Sequence, residues 1–89
     1  MSRLVHIASL VVHHREDACA VIDTLLGERR DAELALRERN RSIVLCEADS
    51  DSALMQVVDA LQALPGIHAV NLVHHHAEDA ESLDQEISP

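Results

Sequence analysis

The feature that most constrains this chain is Leu4–His14, which reads Leu-Val-His-Ile-Ala-Ser-Leu-Val-Val-His-His. It has no Gly or Pro and is dense in aliphatic and β-branched residues, the composition of a strand. A strand with one wet face alternates apolar with polar, whereas this one is apolar on both faces, as a covered central strand is. Leu4, Ala8, Leu10 and Val12 project one way; Val5, Ile7 and Val11 project the other, with Ser9 among them. Eighty-nine residues build one core and bury roughly 60–70% of the unfolded chain's surface. Material to cover the second face of this strand is therefore scarce within the chain itself.

The core has to be made from Leu, Val, Ile and Ala, because the sequence contains no Phe, Tyr or Trp. No apolar run approaches the roughly 20 residues of a membrane span. The first residues lack the basic region and cleavage site of a signal peptide, so a cytoplasmic address is expected. Cys19 and Cys46 both lie inside apolar segments and read as buried thiols. A net charge of −9 excludes nucleic acid as a partner. Five of those charges, Glu78, Asp79, Glu81, Asp84 and Glu86, sit in a terminal stretch with no base. The expected division is a folded domain over 1–76 and a disordered acidic tail over 77–89.

After the first strand, Arg15-Glu16-Asp17 opens a helix whose carboxylates suit its N-terminal dipole. Ala18, Val21, Ile22 and Leu25 form its apolar stripe, and Gly27 stops it. Ala32–Leu36 and Ser42–Glu47 read as two strands joined at a tight Arg39-Asn40 turn. With Leu36 opposite Ile43 and Leu34 opposite Leu45, four large aliphatics turn inward, which leaves Glu33, Ala35, Arg37, Ser42, Val44 and Cys46 outward. Ser50 is the N-cap of a second helix striped with Leu54, Val57, Val58, Leu61 and Leu64, ended by Pro65-Gly66. A last strand, Ile67–His75, puts Val70 and Leu72 on one face and Ala69, Asn71 and Val73 on the other.

This order defines an α+β, ferredoxin-like βαββαβ fold, a four-stranded antiparallel sheet with two helices on one face. The other face is expected to display Val5, Ile7, Val11, Val44, Ala69 and Val73 around the polar pair Ser9 and Asn71. Contiguous apolar surface of this kind marks an interaction site, and a homodimer through the open sheet face is its competing use.

Three segments resemble the NapD family: Ser9-Leu10-Val11-Val12, Glu47-Ala48-Asp49-Ser50, and Pro65–His75 reading Pro-Gly-Ile-His-Ala-Val-Asn-Leu-Val-His-His. The resemblance implies the ferredoxin-like fold and a cytoplasmic chaperone for maturation of periplasmic nitrate reductase. Its partner would be the twin-arginine signal peptide of the reductase's catalytic subunit, held back from export until cofactor insertion and folding are complete. His74 stands where family members commonly carry a tyrosine. On this reading the peptide's apolar stretch lies on Val5, Ile7, Val11, Val44 and Val73. Ser9 and Asn71 supply hydrogen bonds, and Glu33 and Glu47 meet the arginines at the rim.

Seven histidines raise a rival reading, a small metal-binding carrier. His13-His14 and His74-His75-His76 end antiparallel neighbours, so about 33 Å of strand separates them. His68 can meet His13 or His14, and His6 can meet the final triplet. Ferredoxin-like metal carriers place Cys-x-x-Cys after the first strand; here that loop holds Cys19 alone, and no resident metal or cofactor is expected. The chain has no Gly-rich phosphate loop and no nucleophile beside an evident base, so an enzyme is not expected.

Overall fold

The computed structural model describes residues 4–79. Strand β1 (Leu4–His14) leads through a 3-10 turn, Glu16–Ala18, into helix α1 (Cys19–Gly27). Strands β2 (Ala32–Arg37) and β3 (Arg41–Ala48) follow, then helix α2 (Asp51–Gln62) and strand β4 (Ile67–Asp79). The strands form one sheet in the order β2-β3-β1-β4, antiparallel at each pairing, which is the ferredoxin-like arrangement.

Both helices pack on the same side. Ala8, Leu10 and Val12 of β1 join Val44 and Cys46 of β3 and Val70 of β4 in the core. Ile22 and Leu26 of α1 and Leu54, Val57, Val58 and Leu61 of α2 close over them. The helix starts where the sequence places it: the Ala53 amide donates to Ser50 Oγ at 3.0 Å, so Ser50 caps α2. Gly27 is the last residue of α1 but not a left-handed stop; its φ is not positive. Gly66 is the glycine that the backbone requires, with φ of 84° and Ala18 Cβ 3.1 Å from where its own Cβ would stand.

The sequence reading of β3 is corrected. The Arg39-Asn40 turn forms and Leu36 does face Ile43, but a bulge at Ala35 then sets Leu34 opposite Val44, not Leu45. Ile43 and Leu45 pair with Val11 and Ser9 of β1 on the helix-free face, while Val44 pairs with Leu10 and is fully buried beneath the helices. Val44 is core, not a surface residue. Size misled here: the largest aliphatics of β3 face away from the core. Arg37, Ser42 and Cys46 also turn to the helix side, and Leu4 is exposed, not buried.

A second bulge lies at Val73: Leu10 pairs with Leu72 and Ser9 with His74, which leaves Val73 without a partner on β1. Beyond it β4 continues through Asp79, so Ala77–Asp79, assigned to the tail by composition, pair with Leu4–His6. The remainder of the expected disordered tail lies outside the described residues.

His14 is not a wet strand end. It is fully buried and its Nδ1 donates to the Arg15 carbonyl at 2.7 Å. Its Nε2 therefore accepts from Ser42 Oγ at 2.8 Å, and that oxygen accepts from Arg37 Nε at 2.8 Å. Arg37 goes on to Asp23 of α1 at 2.6 Å. The chain ties β1, β2, β3 and α1 together with every polar atom matched.

Candidate functional site

The helix-free face is built by alternation in β1 and β3. Partners in antiparallel strands share a face, so Ile7, Ser9, Val11 and His13 lie beside Glu47, Leu45, Ile43 and Arg41. Leu36 extends the patch onto β2, and Ala69 and Asn71, opposite His13 and Val11, extend it onto β4. Past the bulge, His74 and His76 stand opposite Ser9 and Ile7 on this face, with their ring nitrogens 2.8 Å apart. The result is an aliphatic strip crossing the sheet. Leu36 is 49% exposed and Leu45 41% exposed, high values for leucines within strands.

Of the expected residues, Ile7, Ser9, Val11 and Asn71 share this face with Glu47, and Glu33 joins them opposite Leu45. Val44 is excluded by burial. Val5 has the right parity but is only 5% exposed, closed in where it lines a hollow with Arg30, Asp31 and Glu47. Val73 is the unpaired bulge residue, exposed but outside the regular alternation. Sequence reasoning missed Leu36, Ile43, Leu45, His74 and His76. A signal for the β3 residues was present: Arg41 and Glu47 have the parity of Ile43 and Leu45, and charges at both ends of an alternating set mark it as the wet one.

At one end the strip sinks into a hollow of about 270 Å³, lined by Ile7, Leu45, Glu33 and Glu47 with Arg30 and Asp31 at its margin. The loop before β2 is held there because the Glu47 amide donates to the Asp31 carbonyl at 2.8 Å. Arg29 grips Asp31 with Nε and a terminal nitrogen at 3.0 and 3.2 Å. That hydrogen-bonded pairing, more than the opposing desolvation, holds the Asp31 carboxyl below its usual range. Among the described residues, Glu33 and Glu47 have no ion-pair partner. Cys46, also on this hollow, is no nucleophile: burial first, and the Asp31 charge second, push its thiol up to about 11. The arrangement sets aliphatic surface beside two carboxylates that no base of the described residues pairs. Among the described residues, no helix is long and apolar enough to cross a membrane.

A ferredoxin-like sheet that packs both helices on one face and leaves an aliphatic, acid-rimmed strip on the other defines a small binding module. Comparison with known proteins narrows the class. The NapD protein family model matches residues 5–79, and the chain belongs to that family. It is 29% identical over 75 residues to the chaperone NapD of Escherichia coli K12, an alignment covering 82% of this chain and 86% of that protein. The chaperone NapD of Shigella flexneri gives the same identity and coverage. The solution structure of the E. coli Tat proofreading chaperone NapD superposes with a TM-score of 0.72 at 29% identity, covering 88% of this chain and 84% of that one.

Proposed function

We propose that this NapD-family chaperone acts in the cytoplasm by holding the twin-arginine signal peptide of a periplasmic nitrate reductase catalytic subunit on its helix-free sheet face, which restrains export until the enzyme is mature. The observation that carries the reading is the exposure of Leu36 and Leu45 beside the half-buried Ile43, Ile7 and Val11 on one continuous face. Four strands about 4.8 Å apart span roughly 14 Å, enough width for one helix of about 10–12 Å diameter running along them. A peptide with a basic start and an apolar continuation suits the surface: its apolar side packs on the strip and its arginines reach Glu33 and Glu47. Each buried leucine is worth about 1.5–3 kcal/mol and each rim ion pair about 0–1 kcal/mol, so the strip supplies affinity and the carboxylates orientation.

Calorimetric titration with the synthetic signal peptide tests this, with a scrambled peptide of the same composition as control. Saturable binding at one peptide per chain, lost in Ile7→Asp and Leu45→Asp, is the expected result. Equal binding of the scrambled peptide would remove the specificity. Sedimentation that finds a dimer dissociated by Leu45→Asp, with no peptide uptake, would assign the face to a second copy instead.

A further inference from the structure

The side of the sheet that carries the helices has a cluster unrelated to the open face. His6 on β1, His75 on β4 and Asp51 in the first turn of α2 aim one atom each at a common point. His6 Nδ1 is 3.1 Å from His75 Nε2 and 3.1 Å from Asp51 Oδ1, and His75 Nε2 is 3.4 Å from the same oxygen. The pairings explain the approach: His6 stands opposite Ala77 and Ala8 opposite His75, so the two imidazoles are diagonal neighbours on one face. Ser50 caps α2 and so fixes Asp51 above them.

Hydrogen bonding alone does not account for this triangle. With neutral rings, a proton on both facing nitrogens sets donor against donor across the His6–His75 edge. A proton on only one of them leaves the other ring's lone pair facing the carboxylate lone pairs. Either way one edge is repulsive. A cation bound by three lone pairs makes all three edges favourable. The dimensions agree, because four ligands at about 2.0–2.1 Å around a tetrahedral zinc ion stand roughly 3.3 Å from one another.

We propose that His6, Asp51 and His75 form a binding site for one divalent transition-metal ion of the zinc type, clasping β4 beyond its bulge to β1 and to the start of α2. Two imidazoles and one carboxylate select such an ion over magnesium or calcium, which prefer all-oxygen shells. His6 is largely covered at 15% side-chain exposure, and Asp51 is open at 73%, so a fourth position faces water. The site stands apart from His74 and His76, which belong to the opposite face, and from the buried His14.

The test uses tag-free, chelator-treated full-length chain titrated with Zn²⁺ against a chromophoric competitor. One equivalent should bind and raise the thermal midpoint, since an ion that binds only the folded state stabilises it by mass action. Asp51→Asn and His75→Gln alter exposed side chains and should keep the fold. Each should weaken Zn²⁺ binding by at least about 10–100-fold, the loss already typical of removing a supporting group, and should abolish the thermal shift. His74→Ala, and millimolar Mg²⁺ as competitor, should leave binding unchanged. Binding that survives both Asp51→Asn and His75→Gln, binding that is lost in His74→Ala, or no saturable binding would each overturn the site.

Discussion

The two faces of β3 carry side chains of the same class with opposite fates. Ser42, Val44, Cys46 and Ala48 face the helices and are all buried; Arg41, Leu45 and Glu47 on the other side are exposed, with Ile43 half-buried between them. Hydrophobicity does not separate them, since Leu45 is at least as apolar as Val44. The difference lies in what each face can be closed by. Small and medium side chains let two helices approach the sheet closely, whereas larger aliphatics flanked by charges stand where the described residues bring no second layer.

The largest test of that contrast is a charge on each side. Val44→Asp puts a carboxylate among Leu10, Ile22 and the α2 stripe without a partner, a change expected to cost more than about 4 kcal/mol. Against a total stability of about 5–15 kcal/mol, we expect circular dichroism to show a collapsed or missing thermal transition. Leu45→Asp, one residue away, should leave the midpoint within a few degrees while weakening signal-peptide affinity by about 10–100-fold, the worth of one buried leucine. If both variants unfold, or neither does, the two faces are not distinct in the way the register implies.

How much of this was legible in the sequence depends on the period involved. The α2 stripe of Leu54, Val57, Val58 and Leu61 needs a whole helical face to agree, so one misleading residue does not move it, and Ser50 announces the start. The strand order followed from element lengths and turn chemistry, which fix topology without fixing faces. Parity in β3 rests on a period of two, where a single wrong preference reverses everything. Reversed parity put Val44 on the open face, and the bulges at Ala35 and Val73, at points with no Gly or Pro to signal them, moved Leu34 off Leu45 and Val73 out of the alternation. Ile7, Ser9 and Val11 fall on the open face because β1 pairs with β3 without a shift, and Asn71 joins them because it precedes the bulge on β4.

A smaller effect distinguishes the faces through their hydroxyls. Ser42 links His14 and Arg37 in the interior, whereas among the described residues Ser9 on the open face makes no side-chain hydrogen bond. Ser42→Ala leaves His14 Nε2 and Arg37 Nε short of a partner and should cost about 1–3 kcal/mol. At about 4–8 °C per kcal/mol for a domain of this size, calorimetry would read a clear drop in midpoint. Ser9→Ala should leave stability unchanged and alter only peptide binding. A destabilised Ser9→Ala would mean that the open face contributes to holding the fold together.

The smallest effect separates two carboxylates two residues apart at the hollow. Asp31 is engaged by Arg29, while Glu33 has no ion-pair partner among the described residues. Because the Asp31 carboxyl titrates below its unfolded value of about 3.9, its pairing adds stability that is fully present above that pH and fades as pH falls through the folded value. The Arg29 partner shifts upward from an already high value and contributes nothing to pH dependence near neutrality. Asp31→Asn should therefore destabilise by less than about 1 kcal/mol at pH 7, a gap that closes on acidification below about pH 4. Glu33→Gln should leave stability at pH 7 unchanged and instead lower signal-peptide affinity by up to about fivefold, an effect that added salt erases. Urea unfolding across pH, paired with calorimetry at two ionic strengths, reads both. A stability loss in Glu33→Gln equal to that in Asp31→Asn would show that both carboxylates serve the fold and that the rim offers no free charge to a peptide.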